Sequence, residues 1–200
     1  MVVKTQDLIN FFKAGDGIAR FSSIIKAGFY SDVLSNLLKQ GDIEKIGKGL
    51  YRLVDYVPDT HPDLVTASFQ TPRGVVCLIS ALAFHEVTLQ IPKYVDMAIP
   101  RGTRPNRIKY PPVRFYQFSK KAWESGIEEQ IIGGHKIKVY NLAKTIADCF
   151  KFRNKIGIDI ARDALKTSIS EKKVKPNDII VYARICRVDN ILKPILELML

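Results

Sequence analysis

Three observations predict an α+β chain in two parts. Residues 5–53 run as three short helical patterns parted by glycines, and a glycine-centred basic hairpin, IEKIGKGLYRL at 43–53, follows them directly. Between 75 and 140, strand-like stretches come without regular strand–helix alternation, and after Tyr140 the patterns are all helical. Three helices followed by a hairpin is the plan of a winged helix-turn-helix, and strands followed by a helical tail predict a mixed α+β domain ending in helices. The boundary is expected in VPDTHPDL at 57–64, rich in proline and carboxylates, which gives domains of 1–58 and 59–200.

Within the first part, Thr5 is placed to cap a helix whose Leu8, Ile9, Phe11 and Phe12 fall on one face, and Gly15 with Gly17 ends it. A second helix is expected over 22–27, with Phe21, Ile24 and Ile25 turned to the core and Gly28 supplying the positive φ of a tight turn. Ser31 is the expected cap of a third, SDVLSNLLKQ, closed by Gly41. Its apolar stripe of Val33, Leu34, Leu37 and Leu38 leaves Ser31, Asp32, Ser35, Asn36 and Lys39 facing outward. A face this short and polar suits the reading of base edges, Asn36 pairing with adenine and Lys39 with guanine or phosphate.

A solvated helix face has the same composition, and the adjoining hairpin decides between the two. Gly47-Lys48-Gly49 forms its tip, and Lys45, Lys48 and Arg52 stand ready for phosphates, joined by Arg20. Leu50, Tyr51 and Leu53 anchor the return strand. Helix and wing together point to double-stranded DNA, although winged helices also serve as protein-interaction modules.

In the second part, VVCLI at 75–79 predicts a buried strand leading into a helix, SALAFHEV, capped by Ser80. Further strands are expected at 94–100, stopped by Pro100, and at 113–118; EEQIIGGHKIKVY at 128–140 predicts a hairpin turning at Gly133-Gly134. Asn141 caps NLAKTIADCFKF, with Leu142, Ile146, Cys149 and Phe150 inward, and helices follow at about 156–169, 176–186 and 190–200.

The 200 residues carry 31 basic and 20 acidic side chains, a formal charge of +11 that favours a polyanionic partner. That surplus lies outside the winged-helix segment: residues 1–60 hold 8 basic and 7 acidic side chains, 61–140 hold 11 and 6, and 141–200 hold 12 and 7. RGTRPNRIKY at 101–110 is the most charged stretch, and its Arg101, Arg104, Arg107 and Lys109, with nearby Arg114, form a basic loop suited to DNA or to an acidic partner surface, or simply to solubility. Cys77, Cys149 and Cys186 lack any Cys-x-x-Cys spacing, so buried reduced thiols are expected rather than disulfides or a zinc knuckle. MVVKTQDLINFF is too short and polar for a signal peptide, and no apolar run reaches membrane-spanning length, so a cytoplasmic protein without membrane partners is expected.

No catalytic residue, metal ligand or cofactor is nominated. His85-Glu86 begins like a zinc-protease motif, but Leu89 stands where the second histidine is required. Glu171-Lys172-Lys173 has the Glu-x-Lys spacing of some metal-dependent nucleases, with Asp159 or Asp163 as a further carboxylate, yet its surroundings resemble a polar helix end rather than a strand. Phosphate-gripping glycine loops and a serine elbow are absent from the sequence.

With these residues laid out, the chain resembles AbiEi-type antitoxins, the repressor half of bacterial type IV toxin–antitoxin pairs. Four stretches carry the likeness: GIARFSSIIKAGFYSDVLSNLLKQGDIEKIGKGLYRL, SALAFHEVTLQIP with YVDMAIPRG, IIGGHKIKVY, and NLAKTIADC, which together cover most of 17–149. The resemblance implies a winged helix that represses its own operon at repeated promoter sites. It also implies a C-terminal domain that counters a cognate nucleotidyltransferase-type toxin in a phage-defence (abortive infection) system, an antidote action that need not involve a stable complex. The alternative is a module that binds and inhibits a toxin directly, without operator-specific DNA binding. Phe29-Tyr30, before the third helix, are bulkier than the small residues expected there, and the likeness fades from about residue 156.

Overall fold

The computed structural model describes residues 2–56, 61–105 and 107–199, the side chains from Thr5 onward. Two compact units are present. The first comprises Met1–Pro72, Asn106–Pro111 and Gln130–Ile137, the second Arg73–Pro105, Pro112–Glu129 and Lys138–Leu200. The expected first domain, 1–58, lies within the first unit.

The first unit runs α1 (Val2–Ala14), β1 (Ile18–Arg20), α2 (Phe21–Lys26), α3 (Ser31–Gln40), β2 (Ile43–Gly47), β3 (Leu50–Leu53) and α4 (Pro62–Gln70). Its strands form an antiparallel sheet in the order β1-β3-β2, Ala19 and Lys45 both lying opposite Tyr51. A bulge between Lys45 and Gly47 turns the end of β2 into the tip. Helices and sheet close on Leu8, Phe12, Ile24, Leu34, Leu37, Ile43 and Leu53, all at most 6% exposed. This is a winged helix, as the sequence predicts.

Several local expectations need correction. Helix α1 begins at Val2, so Thr5 is an interior residue rather than its cap; Val2 to Lys4 include no helix breaker, and the helix extends back through them. Ser31 is the first helical residue of α3, not the cap. The chain enters from extended Tyr30, whose carbonyl accepts the Val33 amide at 3.2 Å, and no side chain caps the end. Within the six residues of α2 only Ile24 is buried, while Phe21 and Ile25 are 40% and 43% exposed. So short a helix presents only one residue to the core. Gly41 does end α3, at φ +79, and its amide closes the last turn onto Leu37 and Leu38.

Strand β1 was not expected from the sequence, and neither was α4. Of the predicted linker at 57–64, residues 57–60 lie outside the described residues, while Pro62 starts α4 rather than a connection. Proline at the first helical turn gives up an amide that would have no partner there. The first unit also takes in the turn Gly133-Gly134, where the Asp16 carboxylate lies so close to Gly133 that a β-carbon would collide with it. His135 Nε2 sits 2.6 Å from the Gly15 carbonyl, and the ring meets Phe69 edge-on at 4.7 Å.

The second unit contains β4 (Val75–Val76), α5 (Leu78–Phe84), β5 (Val95–Pro100), β6 (Val113–Phe118) and α6 (Lys120–Glu124). The hairpin β7 (Ile127–Ile132) and β8 (His135–Tyr140) joins the same sheet. Helices α7 (Leu142–Lys151), α8 (Arg153–Ile156), α9 (Ile158–Ser170), α10 (Pro176–Cys186) and α11 (Asp189–Glu197) complete the chain. The mixed sheet has the order β6-β5-β4-β8-β7, with β4 antiparallel to β5 and parallel to β8, and β5 parallel to β6.

The strand expected over 75–79 is only Val75–Val76, and α5 starts two residues later, so Ser80 lies inside that helix rather than capping it. Its buried hydroxyl instead bridges to β5, donating to Tyr94 O at 3.1 Å and accepting from the Asp96 amide at 2.9 Å. Asn141 does cap α7, its side chain accepting the Lys144 amide at 2.9 Å. Helix α7 is the centre of this unit. Leu142, Ile146, Cys149 and Phe150 face inward as predicted, but Lys144, Thr145 and Asp148 are buried too. Helices α6 and α8, each of five residues or fewer, are additional to the predicted set. All three cysteines are buried free thiols.

Candidate nucleic-acid interface

The helix-turn-helix consists of α2, the turn 27–30 and α3. Leu34 and Leu37 fasten α3 to the core, so the opposite face is set outward by helical periodicity. Ser31, Asp32, Ser35 and Lys39 are exposed there and Asn36 is half-buried, which brings all five predicted base readers onto the surface of one helix. Short hydroxyl and amide side chains on such a face can meet both donors and acceptors of base edges.

At the wing, Lys45 and Lys48 are exposed, Lys48 on the two-residue tip between β2 and β3. The tip is tied back to the helix-turn-helix, because the Gly49 carbonyl accepts the Phe21 amide at 2.8 Å. Wing and α2 are therefore held as one framework rather than as a hinged finger.

The two arginines expected on phosphates have partners within the unit. Arg20 donates to the Phe69 carbonyl of α4, with its guanidinium 5.1 Å from the centre of the Phe69 ring. Arg52 lies across the sheet from Glu44, giving Nε and Nη2 to Oε1 at 3.0 and 2.5 Å. Nearby, Gln70 crosses from α4 over Gly47, where a β-carbon would meet its side-chain oxygen at 2.8 Å, and donates to Tyr110 O at 2.8 Å. The Tyr110 hydroxyl donates to Asp63 at 3.0 Å, and that bond, with burial, raises the phenol above its usual range.

Among the exposed residues of the helix-turn-helix outside the predicted set are Lys26, at the end of α2, and Tyr30 in the turn, 65% exposed. Their position one turn before the recognition face is the signal that could have found them.

The basic loop is divided. Arg101 and Arg104 belong to the second unit, Arg107 and Lys109 to the first, all four exposed. Arg114, on β6, stacks over Tyr94 at 4.4 Å, and the neighbouring Tyr116, followed by Asp96, holds its guanidinium above its usual range. The rejected catalytic motifs have structural occupations. His85 Nε2 meets the Tyr140 carbonyl at 2.7 Å, and Lys173, in the turn after α9, pairs with Glu171 at 3.0 Å and donates to the Glu86 carbonyl. Among the described residues no group of three or more His, Cys, Asp or Glu could hold a metal ion, and no helix is long and apolar enough to cross a membrane.

Residues 6–54 match the sequence family described as transcriptional regulator, AbiEi antitoxin. The matched segment runs from the first helix through the wing, and over it the resemblance drawn from the sequence is borne out. No curated protein matches the chain at a significant level.

Proposed function

We propose, from that family match, that this chain is a cytoplasmic DNA-binding autorepressor and the antitoxin of a type IV pair, binding repeated sites in its own promoter and countering a nucleotidyltransferase-type toxin. One observation carries the reading: a winged helix whose α3 exposes Ser31, Asp32, Ser35, Asn36 and Lys39, next to a wing exposing Lys45 and Lys48. On this reading α3 reads bases, and the wing lysines, with Lys26, hold phosphates. Arg20 and Arg52 join the phosphates only by leaving Phe69 and Glu44. The part beyond residue 58 supplies the antidote activity, and no catalytic step or cofactor is assigned to the chain.

Titration of the full chain against labelled DNA from upstream of its own reading frame tests the proposal. Specific binding should weaken with salt at a log–log slope of about −0.9 per phosphate contacted. Unchanged affinity in a Lys45→Ala/Lys48→Ala variant would reject the wing assignment. A second reading, a protein-interaction module acting directly on a toxin, is favoured by the apolar exposure of Phe21, Ile25 and Tyr30 on the helix-turn-helix. Co-purification with a neighbouring nucleotidyltransferase, with no promoter binding, would select it.

A further inference from the structure

Within the second unit lies a concavity of about 360 Å³ into which the end of β5, the start of α6 and the C-terminal ends of α7 and α10 all face. Five cations line it: Arg101, Lys121, Lys151, Arg184 and Arg187. All five are exposed, and none forms a side-chain ion pair with a described residue. The one carboxylate in the lining, Asp148, is already neutralised by Lys144 at 2.5 Å, so it does not offset them. Basic side chains near helix C-termini often do no more than answer the helix dipole. Here Arg101 and Lys121 come from other elements and converge with them on the same hollow, and Arg101 follows a strand, where no helix dipole calls for it.

Beside the cations the wall is aromatic. Half-buried Phe152 stacks on Phe118 at 5.2 Å and 28°, and Phe118 stacks in turn on Tyr140 at 5.7 Å. Of these rings only Phe152 offers surface to the hollow, and an aromatic ring next to concentrated positive charge matches a ligand with a planar base and a polyanionic tail. The volume falls in the range of small-molecule sites, roughly 300–1,000 Å³.

We propose that this pocket binds a free nucleoside polyphosphate, its phosphates held by Arg184, Arg187, Lys151, Lys121 and Arg101 and its base laid against Phe152. Stacking is indifferent to base identity, and with only Gln117 and Ser119 as neutral polar side chains in the lining the site is tolerant of different bases. This site is separate from the winged helix and does not depend on its DNA reading.

Calorimetric titration of the full-length chain with ATP, CTP, inorganic tripolyphosphate and a single-stranded RNA hexamer tests it. ATP and CTP should bind with similar affinity, and tripolyphosphate about tenfold more weakly because it has no base to stack. Arg184→Ala/Arg187→Ala should lower nucleotide affinity by roughly tenfold or more. Phe152→Leu should weaken the nucleotides and leave tripolyphosphate unchanged, with circular dichroism melts confirming folded variants, and Lys45→Ala/Lys48→Ala should have no effect. The proposal is overturned by a folded chain that binds neither nucleotide, by tripolyphosphate binding as tightly as ATP, by an RNA hexamer bound where free nucleotides are not, or by an arginine double variant that binds as the parent does.

Discussion

Lys144 Nζ lies 2.5 Å from Asp148 Oδ2, one turn apart on α7, with the two side chains 0% and 1% exposed. The ammonium also faces the rings of Tyr140 at 4.1 Å and Phe118 at 4.8 Å, and the Cys186 thiol donates to the other carboxylate oxygen at 3.2 Å. Burial pushes the Asp148 carboxyl up, and the charge and hydrogen bond of Lys144 pull it back. Neither charge is tolerable at this depth without the other. Lys144→Met should therefore cost about 3–5 kcal/mol, whereas Lys144→Met/Asp148→Leu should recover most of the loss. Urea denaturation of the two variants checks this, and a single variant as stable as the parent would show the pair to be unnecessary.

Asp96, 3% exposed on β5, gives the fold a pH dependence of definite sign. Burial raises its carboxyl from 3.8 to about 6, against opposing contributions from Arg114 and the amides of Ile79 and Ser80. Because the folded value exceeds the unfolded one, the native state retains a proton that the unfolded chain has released. This contribution is complete below about pH 4 and is lost as pH rises through 6. At about 1.4 kcal/mol per pH unit, the group lowers stability by up to roughly 3 kcal/mol across that window. Asp96→Asn should flatten that part of the stability–pH curve; an unaltered slope between pH 4 and 6 would place the titration elsewhere.

How much of this was legible depended on where each residue's partner lay. The wing could be read because Gly47-Lys48-Gly49 and its flanking strands are local, and Asn141 could be read as a cap because its acceptor role is satisfied three residues on. Strand β1 could not, being three residues whose pairing partner, β3, lies some thirty residues downstream. Helix α4 was hidden by an opening Pro-Asp that also suits a connection. The apolar stripe of α7 gave one buried face and missed Lys144 and Asp148, because complete burial comes from neighbours on every side. The cations of the second-unit pocket are scattered from 101 to 187, with no spacing to reveal their convergence.

The winged helix should be intolerant of a methyl group at Gly17. This residue has φ +74, and a β-carbon there would lie 2.4 Å from Cδ1 of Tyr56, whose hydroxyl is fixed on Asp16 at 2.9 Å. Backbone strain and collision act together, so Gly17→Ala should destabilise the first unit by about 2 kcal/mol or more. Limited proteolysis should then cut within residues 2–56 sooner than in the parent, and equal resistance would count against the close approach.

Glu44 restrains the wing. It faces Arg52 across the β2–β3 pair and takes two hydrogen bonds from the guanidinium, which occupies a cation that phosphates could otherwise use and adds a negative charge beside them. Both side chains are partly exposed, so the pair adds little to stability and can open when a stronger anion arrives. Glu44→Gln should consequently tighten promoter DNA binding by roughly three- to tenfold at low salt and steepen the log–log salt slope by about 0.9, the signature of one added phosphate contact. Arg52→Ala in the parent should weaken binding less than Lys48→Ala does, but in the Glu44→Gln background it should abolish the gain. Fluorescence anisotropy with the four variants over a salt series separates these outcomes. If Glu44→Gln leaves both affinity and slope unchanged, Arg52 does not reach the backbone, and the wing's phosphate contacts are those of Lys45 and Lys48.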